Sequence, residues 1–232
     1  TCDLYAKTGT ITLPGVVDPV PIWGYTMDPA GSASLPGPAI IANEGEKLVI
    51  NLHNQLTETT GLLLQGQMIQ PDLTGIAPLE SGTYTLNTLS AGTFLYEAAL
   101  LPNTQHQVAL GMFGPLIIRP SGQPLQAYNA NSTFTDEALV VLSEIDPALN
   151  FSFDPAAFDM RDYSPEYFLI NGHAYPDTNE ILTDWGNTLL LRIVNAGMLA
   201  HTMSLLSLDQ SIIATDGYPL LYPRKAVTWT VA

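Results

Sequence analysis

Gly45-Glu46-Lys47-Leu48-Val49-Ile50-Asn51-Leu52-His53-Asn54 puts Leu48, Ile50 and Leu52 on one side of an extended chain. Val49, Asn51 and His53 fall on the other side. Side chains of an extended backbone alternate between two faces, so this period of two predicts a strand with one face in a core. Gly45 supplies the turn ahead of it. The pattern returns later in the chain as Gly186-Asn187-Thr188-Leu189-Leu190-Leu191-Arg192-Ile193-Val194-Asn195. Each copy has a turn glycine, an alternating strand ending on Asn, then a loop and an apolar run. Two copies predict tandem units of similar fold rather than a solenoid of many short repeats.

The flanking sequence agrees. Thr83-Tyr84-Thr85-Leu86-Asn87 and Ala226-Val227-Thr228-Trp229-Thr230-Val231 alternate in the same way. Leu116-Ile117-Ile118 and Leu139-Val140-Val141-Leu142 are short continuous apolar runs, as expected of strands covered on both faces. The 18 Gly and 18 Pro residues interrupt the chain too often for a sustained helix. Only a helical turn around Pro155 to Phe158 is expected. The fold class is all-β, with two tandem Greek-key sandwiches. Pro120 to Thr135, rich in Ser, Gln, Asn, Gly and Pro, reads as the junction. The predicted division is a first domain over 1–122, a linker over 123–135 and a second domain over 136–232. The second domain is expected to be truncated, because nothing follows Ala232 to complete it.

The chain has 232 residues, 46% of them hydrophobic, enough for one real core or two small ones. Only 12% are charged, against about a quarter in ordinary soluble domains, a balance common in extracellular β-proteins. Seven basic residues against 22 acidic ones give a net charge of −15. That field repels phosphate backbones and anionic lipid surfaces, which argues against nucleic acid and membrane docking. No apolar run approaches the roughly 18 residues of a membrane span. The sequence opens at Thr1-Cys2-Asp3 without a leader pattern, so a secreted protein would have lost its signal. Cys2 is the single cysteine and cannot form an intrachain disulfide. It reads as structurally idle, with an intermolecular disulfide or lipid attachment as the sharper alternatives.

Four further segments occur in order. They are Gly61-Leu62-Leu63-Leu64-Gln65-Gly66-Gln67, Gly92-Thr93-Phe94-Leu95-Tyr96-Glu97-Ala98-Ala99, Gly111-Met112-Phe113-Gly114-Pro115-Leu116-Ile117-Ile118 and Tyr167-Phe168-Leu169-Ile170-Asn171-Gly172. Together they resemble the cupredoxin domains of the multicopper oxidase family, from about Pro21 to Pro219. In that family the first segment reads His-x-His-Gly and the second Gly-Thr-x-x-Tyr-His-x-His. The resemblance therefore puts Gln65, Gln67, Glu97 and Ala99 at four copper-ligand positions. His201-Thr202-Met203-Ser204-Leu205-Leu206 stands where related domains carry His-x-Met-His-x-His, which puts Ser204 and Leu206 at two more and leaves His201 alone. The framework is present and the expected ligands are not.

A type 1 copper site needs two His, a Cys thiolate and a weak axial group. This chain has Cys2 and four histidines, no two of them at alternate spacing. Amide oxygens are poor copper ligands, and Glu97 is one carboxylate, suited to a hard cation. Gln65, Gln67 and Glu97 are expected to satisfy one another as a polar plug. His53 is expected on the exposed face of its strand and His173 in a turn. His106 is expected in a polar loop begun by Asn103, from which it could approach Glu97. His201 is expected to be buried and hydrogen-bonded. Glu97, His106 and His201 are the weak metal candidates, and no catalytic or cofactor-binding residue is assigned.

The resemblance implies the N-terminal part of a secreted, periplasmic or cell-surface copper-dependent oxidoreductase. Copper is the family's cofactor, and this segment is expected to bind none and to be inactive alone. It would act as scaffold beside a further cupredoxin domain or another copy of the chain. The alternative is a non-catalytic extracellular cupredoxin that binds a protein or small ligand. Asn131-Ser132-Thr133 and Asn150-Phe151-Ser152 are N-glycosylation sequons, relevant if the protein passes a glycosylating compartment.

Overall fold

The computed structural model describes residues 1–87, 89–99, 101–102 and 104–232. The first half of the chain contributes β1 (Cys2–Ile11), β2 (Val20–Thr26), β3 (Ile40–Asn43), β4 (Leu48–Asn54), β5 (Leu62–Leu64), β6 (Ser81–Leu86), β7 (Gly92–Ala98) and β8 (Phe113–Arg119). A short helix α1 (Gln105–Ala109) lies between β7 and β8. Two four-stranded sheets result, ordered β2-β1-β4-β6 and β3-β8-β7-β5. Their inner faces share one core, with Leu4, Ile50 and Leu52 on one sheet and Phe94, Tyr96, Leu116 and Ile118 on the other. In β4 the burial follows the alternation read from the sequence: Leu48, Ile50, Leu52 and Asn54 are buried and the intervening residues half-buried.

The second half adds β9 (Asp136–Ile145), helix α2 (Pro147–Asn150), β10 (Tyr167–Ile170), β11 (His173–Ala174), β12 (Leu189–Asn195), β13 (His201–Ser204), β14 (Gln210–Thr215), β15 (Tyr218–Ala226) and β16 (Thr228–Val231). One sheet runs β11-β10-β9-β12, and β13 pairs with β16 and β14 with β15. The repeated sequence is a repeated topology. β4 lies parallel to β1, whose other neighbour β2 is antiparallel. β12 likewise lies parallel to β9, whose other neighbour β10 is antiparallel. The fold is all-β and cupredoxin-like, with helices confined to a turn or so. Pro155–Ala157 forms a 3-10 turn where a helical turn was expected.

The run Ala226 to Val231 is not one strand. β15 ends at Ala226 and β16 starts at Thr228, with Val227 79% exposed between them. Each part pairs with a different strand, so one alternating pattern serves two sheets.

An apolar layer joins the halves, with Leu13, Ile22, Leu95 and Phe113 against Val141, Ile145, Leu169 and Val194. Beside it Glu137 on β9 binds two arginines. Arg192 Nε on β12 donates to Glu137 Oε1 at 2.6 Å, and Arg119 Nη2 at the end of β8 donates to Glu137 Oε2. Arg192 Nη1 also donates to Thr93 Oγ1 on β7 at 2.7 Å.

Candidate functional site

The segments read as ligand positions lie on β5 and β7, which pair antiparallel with Leu63 opposite Glu97 and Leu62 opposite Ala98. Leu62, Leu64, Tyr96 and Ala98 point into the core. Leu63 and Glu97 therefore point to the opposite face of the sheet, since strand side chains alternate. Gln65 follows β5 and its amide Nε2 donates to Glu97 Oε1 at 2.9 Å. Burial pushes the Glu97 carboxyl above the usual carboxylate range, and the bond from Gln65 offsets part of that rise.

Gln67 does not join the pair. β5 ends at Leu64, and Gly66 turns the chain with φ of 64°. That turn breaks the alternation that would have put both glutamines on one face. Gln67 Oε1 instead accepts from the Ser90 amide at 3.4 Å, while its Nε2 is buried without a partner among the described residues. The expected plug of three is a pair. Ala99 is buried, its amide donating to the Gly61 carbonyl at 3.1 Å.

A linkage test follows for Glu97. A carboxyl whose folded value is raised binds its proton more tightly in the folded state, so its charge opposes folding above that window. Glu97→Gln keeps an acceptor for Gln65 and removes the desolvated charge. The variant is expected to melt higher than the parent at pH 7, with the difference shrinking as the pH falls through the carboxylate range. An equal or lower melting temperature at pH 7 would show that the charge is compensated.

Sequence reading missed an acid beside this site. Tyr84 Oη donates to Asp72 Oδ2 at 2.5 Å and accepts from the Leu62 amide at 3.1 Å. Asp72 also accepts from the amides of Thr74 and Gly75. Burial acts to raise the Asp72 carboxyl, but the bonds from Tyr84, Gly75 and Thr74 outweigh it and hold the group low. Burial, and then the bond to Asp72, push the Tyr84 hydroxyl up. A Cβ on Gly61 would come within 2.7 Å of Asp72 Oδ2 and 2.9 Å of Ala99 Cβ, so this pair sits against the Ala99 position. The available signal was Asp72-Leu73-Thr74-Gly75, an Asp followed by turn residues whose amides it can bind.

The histidines are placed differently from expectation. His106 is in α1, not in a loop, and is 2% exposed; Asn103 lies outside the described residues. Its Nε2 is 2.9 Å from Glu58 Oε2, so its acidic partner is Glu58 and not Glu97. Gln107 joins Glu58 and Thr60 to that network, and Trp23 meets the His106 ring edge-on at 5.7 Å. His53 is half-buried rather than free on the surface. It stacks on Tyr5 at 4.5 Å and bonds Asp3 and Ser81. His173 is exposed in β11, just after the Asn171-Gly172 turn.

His201, on β13, is half-buried, and its Nε2 lies 3.6 Å from Glu144 Oε2, beyond hydrogen-bond reach. Neither atom has a hydrogen-bond partner among the described residues, so the expected bonded role is not met there. Ser204 is exposed at the end of β13, and Leu206 is 89% exposed. No group of three His, Cys, Asp or Glu side chains suited to a metal ion occurs among the described residues. Cys2 is half-buried in β1 against the core of the first half, and burial pushes its thiol up.

The β14–β15 hairpin of the second half seats on the same turn of the first. Tyr218 Oη donates to the Gly66 carbonyl at 2.7 Å, and the Tyr218 ring meets Phe94 at 6.0 Å. Tyr128 Oη donates to the Gly217 carbonyl at 3.0 Å.

The multicopper oxidase family model matches residues 30–123, which hold β3 to β8 and the Gln65–Glu97 pair. Laccase-2 of Cryptococcus neoformans var. grubii is 25% identical over 223 residues, covering 82% of this chain and 36% of that protein. A copper-containing nitrite reductase of Neisseria meningitidis serogroup B is 25% identical over 174 residues, covering 70% of this chain and 43% of that protein. The chain thus spans less than half the length of these relatives. Two solved structures share its fold over 99% of its length: the multicopper oxidase mgLAC at TM-score 0.84 and the blue copper oxidase of Nitrosomonas europaea at 0.83. Each is 24% identical, and the chain covers 71% of each. Residues 30–123 thus match the multicopper oxidase family model, and the whole chain shares the fold of solved multicopper oxidases.

Proposed function

We propose that this chain is the N-terminal cupredoxin portion of a secreted multicopper-oxidase-like protein. It acts there as scaffold, and any copper redox chemistry rests on residues outside it. The observation that carries this reading is the Gln65–Glu97 hydrogen bond on the sheet face where the family resemblance places ligands. Copper held for redox work needs imidazole and thiolate donors. Here the Gln65 amide is committed to the Glu97 carboxylate, and a buried methyl group stands at Ala99. Ser204 and Leu206 face solvent, and His106 is committed to Glu58. This donor set does not fit copper in the family's manner.

The two halves divide at 123–135, between 1–122 and 136–232, each a cupredoxin unit. The partner is a further cupredoxin domain or another copy of the chain. Leu206, Leu221 and Val227 of the second half are each more than three-quarters exposed, a surface suited to being covered by more protein. Among the described residues no helix is long and apolar enough to cross a membrane. Low charge content and the acidic balance support an extracellular or periplasmic setting.

Oxygen uptake with a phenolic reductant tests the assignment. With copper added, the chain is expected to consume oxygen no faster than the same concentration of free copper. Saturable turnover that disappears in Glu97→Gln or His106→Asn would replace the scaffold reading with a rebuilt redox site.

A further inference from the structure

The two glycosylation sequons, identical in kind on the sequence, differ in the fold. Asn131 lies in the 3-10 turn Ala130–Ser132 and is exposed, as is Thr133, the hydroxyl residue of its sequon. The turn is held by their neighbours. Ser132 Oγ accepts from the amides of Tyr128 and Asn129 and donates to the Asn129 carbonyl. The Asn129 carboxamide in turn accepts from the Asn131 backbone amide at 2.9 Å. The middle residue of the sequon therefore carries the structure and leaves its two recognition groups outward.

Asn150 is the reverse case. It is 3% exposed at the end of α2, and its Nδ2 donates to the Pro21 carbonyl of the first half at 2.7 Å. A sugar on that nitrogen would have to enter the packed contact between the halves and displace this bond.

We propose that Asn131 is an N-glycan acceptor and that Asn150 is not modified in the folded protein. The donor is a lipid-linked oligosaccharyl pyrophosphate. The Asn131 carboxamide nitrogen bonds to the anomeric carbon of the first sugar as the bond from that carbon to the pyrophosphate oxygen breaks. The lipid pyrophosphate departs with the electron pair, and the nitrogen loses one proton to solvent. No oxidation takes place. The proposal rests on the secreted reading given above.

The test is to secrete the chain behind a cleavable leader from an N-glycosylating yeast. Intact mass and glycopeptides are then compared before and after peptide-N-glycosidase. One glycan is expected, at Asn131. It should be lost in Asn131→Gln and Thr133→Ala and kept in Ser152→Ala, which removes the second sequon without touching the Asn150 contact. Folded, secreted protein that is bare at Asn131, or that carries a glycan at Asn150, overturns the proposal. A glycan at Asn131 in the yeast product, with none on protein from the natural source, supports the acceptor geometry and shows that the natural route does not pass an N-glycosylating compartment.

Discussion

Glu137→Ala is expected to destabilise the chain by about 3–5 kcal/mol, the usual cost of removing one partner from a buried ion pair. Arg192 keeps only 2% of its side chain exposed, and Thr93 cannot replace a carboxylate. The variant leaves a buried guanidinium without its counter-charge at the contact between the two halves. Arg192→Met in the same background is expected to recover part of the loss, because the orphaned charge goes with it. Burial acts to raise the Glu137 carboxyl, but the bonds from Arg119 and then Arg192, with their charges, outweigh it and hold the group low. Its stabilising contribution is therefore complete above the unfolded carboxylate range and lost as the pH falls through the depressed folded value. Urea unfolding at pH 7 reads the two variants, and its repetition at falling pH reads the loss of the Glu137 contribution. A loss under about 1 kcal/mol, the scale of surface pairs, would show that solvent already reaches Arg192.

Gly172→Ala is the second large effect. Gly172 has φ of 81°, and a Cβ there would lie 1.8 Å from the Leu35 carbonyl oxygen of the first half. The left-handed backbone costs a non-glycine residue about 1–2 kcal/mol. Forcing backbone apart in a packed contact adds roughly 1–3 kcal/mol. Gly186→Ala separates the two terms, since Gly186 has φ of 89° but, among the described residues beyond its chain neighbours, no atom within 4 Å of its Cβ position. Urea unfolding is expected to show Gly172→Ala losing at least twice as much stability as Gly186→Ala. Equal losses would mean that the contact of Gly172 with Leu35 yields freely.

The sequence made the strands legible where one face is buried and the other is not. β4 alternates because it is covered by one core, and its echo in β12 disclosed an arrangement of three strands that recurs, a parallel pair with an antiparallel neighbour. What stayed hidden depends on contacts between distant residues or on breaks in local periodicity. The five residues of α1 are too few to display a helical period, so His106 read as a loop residue, and its Glu58 partner is 48 positions away. Gly66 was visible, but alternation across it was assumed, and its turn is what sends Gln67 away from Glu97. The bridge from Glu137 to Arg119 and Arg192 joins three strands and carries no local signal at all. At the positions that the family resemblance reads as ligands the residue identities were plain, and the bond between Gln65 and Glu97 followed from their chemistry. The Asp72–Tyr84 pair beside them did not, because only the fold brings β6 and the 72–75 turn together.

The most direct measurement is the copper content of the purified chain after loading with excess copper and desalting. The scaffold reading predicts far less than one copper per chain, with no change in Glu97→Gln or His106→Asn. One tightly held copper per chain that is lost in either variant would contradict it.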